Sequence, residues 1–248
     1  MVRLAMYERT LFRIVFLVVG MLGSATTLPS HGLSQQQEYA HLREQMVNRY
    51  IEAKGVTDSL TLHAMRAVPR HEFVLPEYVG RAYGDHALPL THGQTISQPY
   101  IVAYMTEMLE PRVGMKALEV GTGSGYQAAI LAETGAEVFT VEIVGPLAAS
   151  AAERLRRLGY GAIGTRHADG FFGWEEESPF DAIIVTAAAG FIPPPLIEQL
   201  KPGGRMVIPV GSVYGVQNLI LVHKNEEGEV RTRTLLPVRF VPFLRGIR

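Results

Sequence analysis

Leu118-Glu119-Val120-Gly121-Thr122-Gly123-Ser124-Gly125 follows a short apolar run that begins at Lys116 and precedes a helical pattern from Tyr126 to Glu133. A strand that breaks into closely spaced glycines and re-forms as a helix is the first turn of a nucleotide-binding α/β unit, where glycines let the chain turn tightly and let a ligand approach the backbone. Glu142 ends the next strand-like run, Glu137 to Ile143, seventeen residues after Gly125. A carboxylate at that place can accept both ribose hydroxyls of a nucleoside. Dinucleotide enzymes favour G-x-G-x-x-G, because a pyrophosphate must rest on the helix N-terminus. Here the spacing is G-x-G-x-G, and Glu119 lies just before it. That carboxylate would repel a pyrophosphate but suits an ammonium or a sulfonium, which favours S-adenosylmethionine over NAD. The bland alternative is a tight turn with no ligand.

Working outward, Phe180 to Thr186 (FDAIIVT) is a continuous apolar strand of the kind covered on both faces, and Ile163 to His167 is a shorter one. Pro146 to Leu158 and Pro194 to Leu200 read as helices, with Lys201-Pro202-Gly203-Gly204 terminating the second. Arg205 to Val210 is a strand, and Gln217 to His223 with Arg231 to Phe240 form a final pair across a polar turn. Strands alternating with helices predict a doubly wound, mostly parallel sheet of α/β class. Upstream, Glu38 to Ala53, a second helix opened by Thr57-Asp58, and Ser97 to Leu109 form a helical cap, with an ordered loop region over 70–95. Asp169-Gly170 falls at the carboxyl edge of the sheet, where ligands bind. It is either an acceptor for an adenine amino group or a plain Asp-Gly turn.

The 248 residues, 47% apolar and 19% charged, suffice for one domain with a full core, and the net charge of −1 argues against a nucleic-acid surface. With no cysteine, disulfides, thiol catalysis and Cys-ligated zinc are excluded. The eight histidines show no ligand spacing, so no metal is expected. Arg3, Arg9 and Arg13 precede an apolar run from Ile14 to Leu22, then Gly23, Ser24 and Ala25, the order of a secretory signal. The expected organisation is a leader over 1–25, a linker over 26–37 and one domain over 38–248. That domain divides into a helical substrate-side segment, 38–112, and a cofactor-binding sheet core, 113–248. Export to a periplasm is expected, the alternative being a cytoplasmic protein with a mis-assigned start.

The chain resembles the protein-L-isoaspartate (D-aspartate) O-methyltransferases over about residues 40–245. The resemblance is carried by Gly93-Gln94-Thr95-Ile96-Ser97-Gln98-Pro99, similar to that family's T-I-S-x-P segment, by Phe180–Ile183 through Ala187–Ala189, by Leu200–Arg205, and by Val238-Arg239-Phe240-Val241-Pro242-Phe243. It implies the class I, Rossmann-like methyltransferase fold and S-adenosylmethionine as cofactor, held by Glu119, Gly121, Thr122, Gly123, Gly125, Glu142, Asp169 and Gly170. It also implies Ser97 at the reacting carboxylate; Thr95, Pro99, Val241 and Pro242 are expected to form the walls around the substrate. The implied partners are damaged proteins or peptides carrying isoaspartyl residues, met by a monomer that does not stay on a membrane.

An isoaspartyl carboxylate is already ionised at neutral pH, so the reaction needs positioning and no general base. Ser97 is then an orienting donor; read from the residues alone it is more readily a helix N-cap, and the two roles can coexist. Two competing readings remain at this level: a methyltransferase for another protein or small molecule, and a non-catalytic nucleoside-binding domain.

Overall fold

The computed structural model describes residues 31–246; the leader expected over 1–25 and the first residues of the expected linker lie outside them. In chain order the elements are α1 (His31–Tyr50), α2 (Ser59–Ala67), β1 (Leu88–Pro89), β2 (Thr95–Ile96), α3 (Pro99–Met108), β3 (Lys116–Val120), α4 (Tyr126–Glu133), β4 (Glu137–Glu142), α5 (Gly145–Arg157), β5 (Gly164–His167), β6 (Phe180–Val185), α6 (Pro194–Glu198), β7 (Leu200–Gly211), β8 (Gln217–Lys224) and β9 (Val230–Val238). Short 3₁₀ turns fill the expected loop region, at Arg70–Phe73 and Pro76–Arg81.

Seven strands form one sheet in the order β5-β4-β3-β6-β7-β8-β9. The first five are parallel, and β8 and β9 close the sheet antiparallel. Strand order reverses at β3, whose neighbours are β4 and β6, so the crevice beyond its carboxyl end is the expected ligand site. β6 shows why the apolar run needs no polar face. Ala182 and Ile184 point into a core shared with α1 to α5, while Ile183 and Val185 point into a second core under α6 and Trp174. α5 buries Leu147, Ala151 and Leu155 at four-residue steps and ends in Arg154, Arg156 and Arg157, which oppose the negative end of its dipole. Among the described residues no helix is long and apolar enough to cross a membrane.

Two expected boundaries shift. The linker expected over 26–37 is helical from His31, because Ser34-Gln35-Gln36-Gln37-Glu38 contains no Gly or Pro and is rich in good helix formers. Lys201-Pro202-Gly203-Gly204 lies inside β7 rather than ahead of it. Phe180 pairs with Leu200 and Ala182 with Arg205, so the four residues bulge out of the ladder, and Gly203 takes φ +76° to do so.

Candidate active site

A cleft opens at the carboxyl end of β3, lined by the glycine loop, the end of β4, the β2 segment and the C-terminal segment. Its floor is the glycine loop. Gly121 takes φ +100°, and a Cβ there would meet Thr186 Oγ1 at 2.4 Å, so backbone conformation and space both demand glycine. Gly125 does not line the cleft; it begins α4 at φ +86°, and a Cβ there would press on Leu155 at 3.1 Å. Its part is to let α4 start close to α5.

Glu142, at the end of β4, accepts the N–H of Gly123 (2.8 Å) and of Val144 (2.9 Å), one on each carboxylate oxygen. It therefore fixes the loop's shape while each oxygen keeps lone-pair capacity toward the cleft. Glu119 is fully buried and lines the same cleft. Its Oε2 accepts the Thr140 hydroxyl, and Thr140 Oγ1 lies 2.6 Å from Thr122 Oγ1. Because the Thr140 hydrogen is committed to Glu119, Thr122 is the donor in that second bond. Glu119 Oε1 has no partner among the described residues. Burial pushes its carboxyl up to about 8, with the Thr140 bond opposing and the nearby Glu142 charge adding to the rise.

These residues fit S-adenosylmethionine. An orphaned, buried carboxylate oxygen in a cleft calls for a cationic or N–H-bearing ligand. A pyrophosphate would worsen the repulsion already present between two carboxylates.

Gly170 lines the cleft beside β3, where a Cβ would meet Val120 Cγ1 at 2.4 Å. Its neighbour Asp169 is placed differently. One oxygen accepts Phe171 N–H (3.0 Å) and the other accepts Arg245 Nε (3.0 Å) and Gly246 N–H (3.0 Å), so the C-terminal segment clasps it beside the cleft. Burial works against the charge, but these three donors prevail and hold its carboxyl below the usual range. Arg245 also lies over the Phe171 ring at 3.6 Å.

On the opposite side, β1 and β2 pair as a hairpin that brings Thr95 and Ser97 to the cleft. Val241 and Pro242 face them, held because Ala188 N–H donates to Val241 O (2.8 Å) and Phe243 N–H to Ala188 O (2.9 Å). Ser97 is half-buried and makes no hydrogen bond among the described residues. It is not the N-cap of α3: Gln98 stands there, without a side-chain cap. Pro99 is buried in the first turn of α3 and does not line the cleft.

Three positioning residues carry no motif. Thr140 bridges Glu119 and Thr122. Thr186 Oγ1 donates within reach of Val120 O and Gly121 O, 3.1 and 2.6 Å away, tying β6 to the loop. Asp85 accepts Gln98 Nε2 (2.9 Å), Tyr100 N–H (3.1 Å) and the Lys54 ammonium, anchoring the segment on either side of Pro99. Their signal lies in contacts across thirteen or more residues of chain, which periodicity does not register. Among the described residues no group of three or more His, Cys, Asp or Glu side chains is placed to hold a metal.

The model of the protein-L-isoaspartate (D-aspartate) O-methyltransferase family matches residues 41–247. A Polaromonas protein named protein-L-isoaspartate O-methyltransferase 2 is 57% identical over 76% of this chain and 90% of its own. An Opitutus terrae protein-L-isoaspartate O-methyltransferase is 56% identical over 82% of this chain and 87% of its own. The crystal structure of a Plasmodium falciparum putative protein-L-isoaspartate O-methyltransferase in complex with S-adenosyl-L-homocysteine superposes with a TM-score of 0.70 and 25% identity, covering 84% of this chain and 99% of that one.

Proposed function

The chain belongs to the protein-L-isoaspartate (D-aspartate) O-methyltransferase family, and from that premise we propose that Ser97 is the group that orients the reacting carboxylate. The enzyme transfers a methyl group from S-adenosylmethionine to the free carboxylate of L-isoaspartyl residues in damaged proteins, the first step of their repair. The observation that carries the assignment of Ser97 is its unpartnered hydroxyl, opposite Val241 and Pro242, in the cleft that also holds Glu119 and Glu142.

When bound, S-adenosylmethionine supplies a methyl group on a positively charged sulfur. Glu119 would receive its amino-acid ammonium and Glu142 its ribose hydroxyls, with Gly121, Thr122, Gly123 and Gly170 giving the close backbone approach. Ser97 donates to one oxygen of the isoaspartyl carboxylate, and the apolar wall of Val241 and Pro242 strips its water. No residue has to remove a proton, because the carboxylate is already charged at neutral pH.

Orientation of this kind can supply about 7–11 kcal/mol of the barrier, and a misplacement of about 1 Å can cost about 100-fold. Normal aspartate, whose free carboxylate hangs from a shorter backbone path, is rejected by such misplacement. The test pairs a synthetic isoaspartyl peptide with its aspartyl twin. We expect methylation of the first alone, kcat nearly flat from about pH 6 to 8, and Ser97→Ala lowering kcat by about 10- to 100-fold while the cofactor Kd stays within about two-fold. Equal rates on the two peptides would refute the selectivity, and an unchanged kcat would remove Ser97 from the reaction. Asp169 contributes through the C-terminal segment that it holds. We also propose that residues 1–25 are a cleaved export signal, the motive being their basic, apolar, small-residue order. N-terminal sequencing of protein from the native host checks this; a soluble cytoplasmic product that begins at Met1 would overturn it.

A further inference from the structure

A second, open groove adjoins the reaction cleft, and Thr95 and Ser97 line both. Its walls are the start of α3, with Gln98 and Ile101, the end of β9, with Val238 and Phe240, and Val216 from the hairpin between β7 and β8. That hairpin is a built wall. Gln217 is 1% exposed, and its amide donates to Ser212 O (2.6 Å) and Gly215 O (3.0 Å) and accepts Phe240 N–H (2.9 Å). One buried side chain thus locks the hairpin to the opposite strand end, so the groove's width is preset.

Four of the six large apolar side chains left exposed among the described residues fall at the same edge: Phe191 after β6 (60%), Val216 (53%) and Tyr214 (94%) after β7, and Leu244 in the C-terminal segment (42%); Val113, ahead of β3, and Val230, at the start of β9, lie elsewhere. These four follow the carboxyl end of a strand or cross the cleft, where clustered apolar surface marks a ligand or partner site.

We propose that this groove holds the substrate chain beside its isoaspartyl residue, and that Val216 in its lining, with Tyr214 exposed two residues earlier on the same hairpin, selects an apolar or aromatic neighbour there. The inference rests on the isoaspartyl reading of the reaction cleft and extends it to peptide context. The occupant is a polypeptide segment because the groove is continuous with the site of the reacting carboxylate, so a chain whose carboxylate lies at Ser97 must leave along one of its walls. The neighbour is apolar because six of the ten lining residues are, Ala87, Ile101, Val216, Pro237, Val238 and Phe240, while the polar Thr95 and Ser97 stand at the end shared with the reaction cleft. Arg239 is the charged side chain of the lining, and it is exposed, where a pairing with an acidic neighbour is screened. Burial of one Leu- or Tyr-sized side chain supports about five-fold or more in affinity.

The test uses the full chain and isoaspartyl peptides that differ at a single neighbouring position, Leu, Tyr, Ser or Asp, placed on each side in turn. The wild type should give KM for the Leu and Tyr peptides about five-fold below the Ser peptide on one side. Val216→Asp and Tyr214→Ser should raise KM for the apolar peptides toward the Ser value without a proportionate fall in kcat and with the cofactor Kd unchanged. Tyr214 is almost wholly exposed, so its variant folds even if Val216→Asp does not. An unchanged ranking in both variants, or a flat ranking in the wild type, would overturn the proposal. A preference for Asp that Arg239→Ala abolishes would assign the groove to an anion, and concentration-dependent self-association lost in Val216→Asp would assign it to a second copy of this chain; either overturns the proposal. Failure of the wild type on every isoaspartyl peptide would instead refute the reaction itself, and the peptide context with it.

Discussion

Glu119 sets a pH dependence that can be signed from its surroundings. Its carboxyl is raised from 4.5 to about 8 in the folded protein, burial being the main cause. Between those values the folded state holds a proton that the unfolded chain has lost, so this group's contribution to stability is fully present below about pH 4.5 and lost as pH rises to about 8. A cationic ligand next to Oε1 reverses the preference and expels the proton. Cofactor binding should therefore release a proton at pH 6 to 7, and its Kd should tighten with pH by up to about ten-fold per unit until pH 8. Calorimetry in buffers of different ionisation enthalpy reads both, and Glu119→Gln should flatten both. A pH-independent Kd in the wild type would mean that Glu119 is already charged without ligand. The carboxylates themselves were legible from sequence, because their value lies in their place beside a glycine loop. Thr140 was not: a threonine in a strand is ordinary β-former chemistry, and only the fold reveals that its hydroxyl is committed to Glu119.

Among the elements, α3 owes its start to a residue distant in the chain. Gln98 provides no side-chain cap, and the Tyr100 N–H is taken by Asp85, fifteen residues upstream. Asp85→Ala should cost about 1–2 kcal/mol, as loss of a cap does, and lower Tm by about 2–8 °C. Because the same carboxylate holds Gln98 beside Ser97, kcat should fall as well, with Asp85→Asn recovering part of it through the retained oxygen. Thermal melts and initial rates on one preparation decide; a drop in Tm with kcat intact would make Asp85 structural alone. The same scale shows where sequence reading succeeds and fails. β3, α4 and β6 are legible because each is a run of one period ended by Gly or Thr. The start of β7 was misplaced because Pro202 and the two glycines read as a terminator. In the sheet they are a bulge, which demands the same residues as a turn.

For the whole molecule, the sheet ends and the C-terminal segment matter most. β9 is an open edge, and Arg231, Thr232, Arg233 and Thr234 stand exposed along it. Charged edges resist pairing with another sheet, so the 27.3 kDa chain should sediment as a monomer at micromolar concentration. A stable dimer would mean that some other face associates. The segment from Phe243 to Gly246 crosses the cleft and is fastened by Arg245 to Asp169 and Phe171. The fastening joins protein groups to one another, Arg245 and Gly246 to Asp169 and Phe171, so its loss should alter rates more than affinity. Arg245→Ala should speed both entry and release of cofactor about three- to five-fold, as expected for one half-exposed cation–π and ion-pair contact, with Kd nearly constant. Stopped-flow fluorescence measures the two rates, and a change in Kd alone would make Arg245 a binding residue instead.

The Asp169 clasp also bears on how this enzyme ages. Asp169-Gly170 is the single Asp-Gly pair in the sequence, and there is no Asn-Gly. Such a pair is where a backbone most readily damages itself: the glycine nitrogen attacks the side-chain carboxyl and water leaves, a cyclic imide forms, and hydrolysis opens it to a mixture of isoaspartate and aspartate. That attack needs a protonated carboxyl free to swing back along the chain. Here the carboxyl is held charged, and its oxygens are turned to Phe171, Arg245 and Gly246. The catalyst thereby protects its own Asp-Gly peptide from the lesion it corrects in others. Protein stored for weeks at 37 °C should retain normal aspartate at 169 by peptide mapping, and Arg245→Ala should accumulate isoaspartate there.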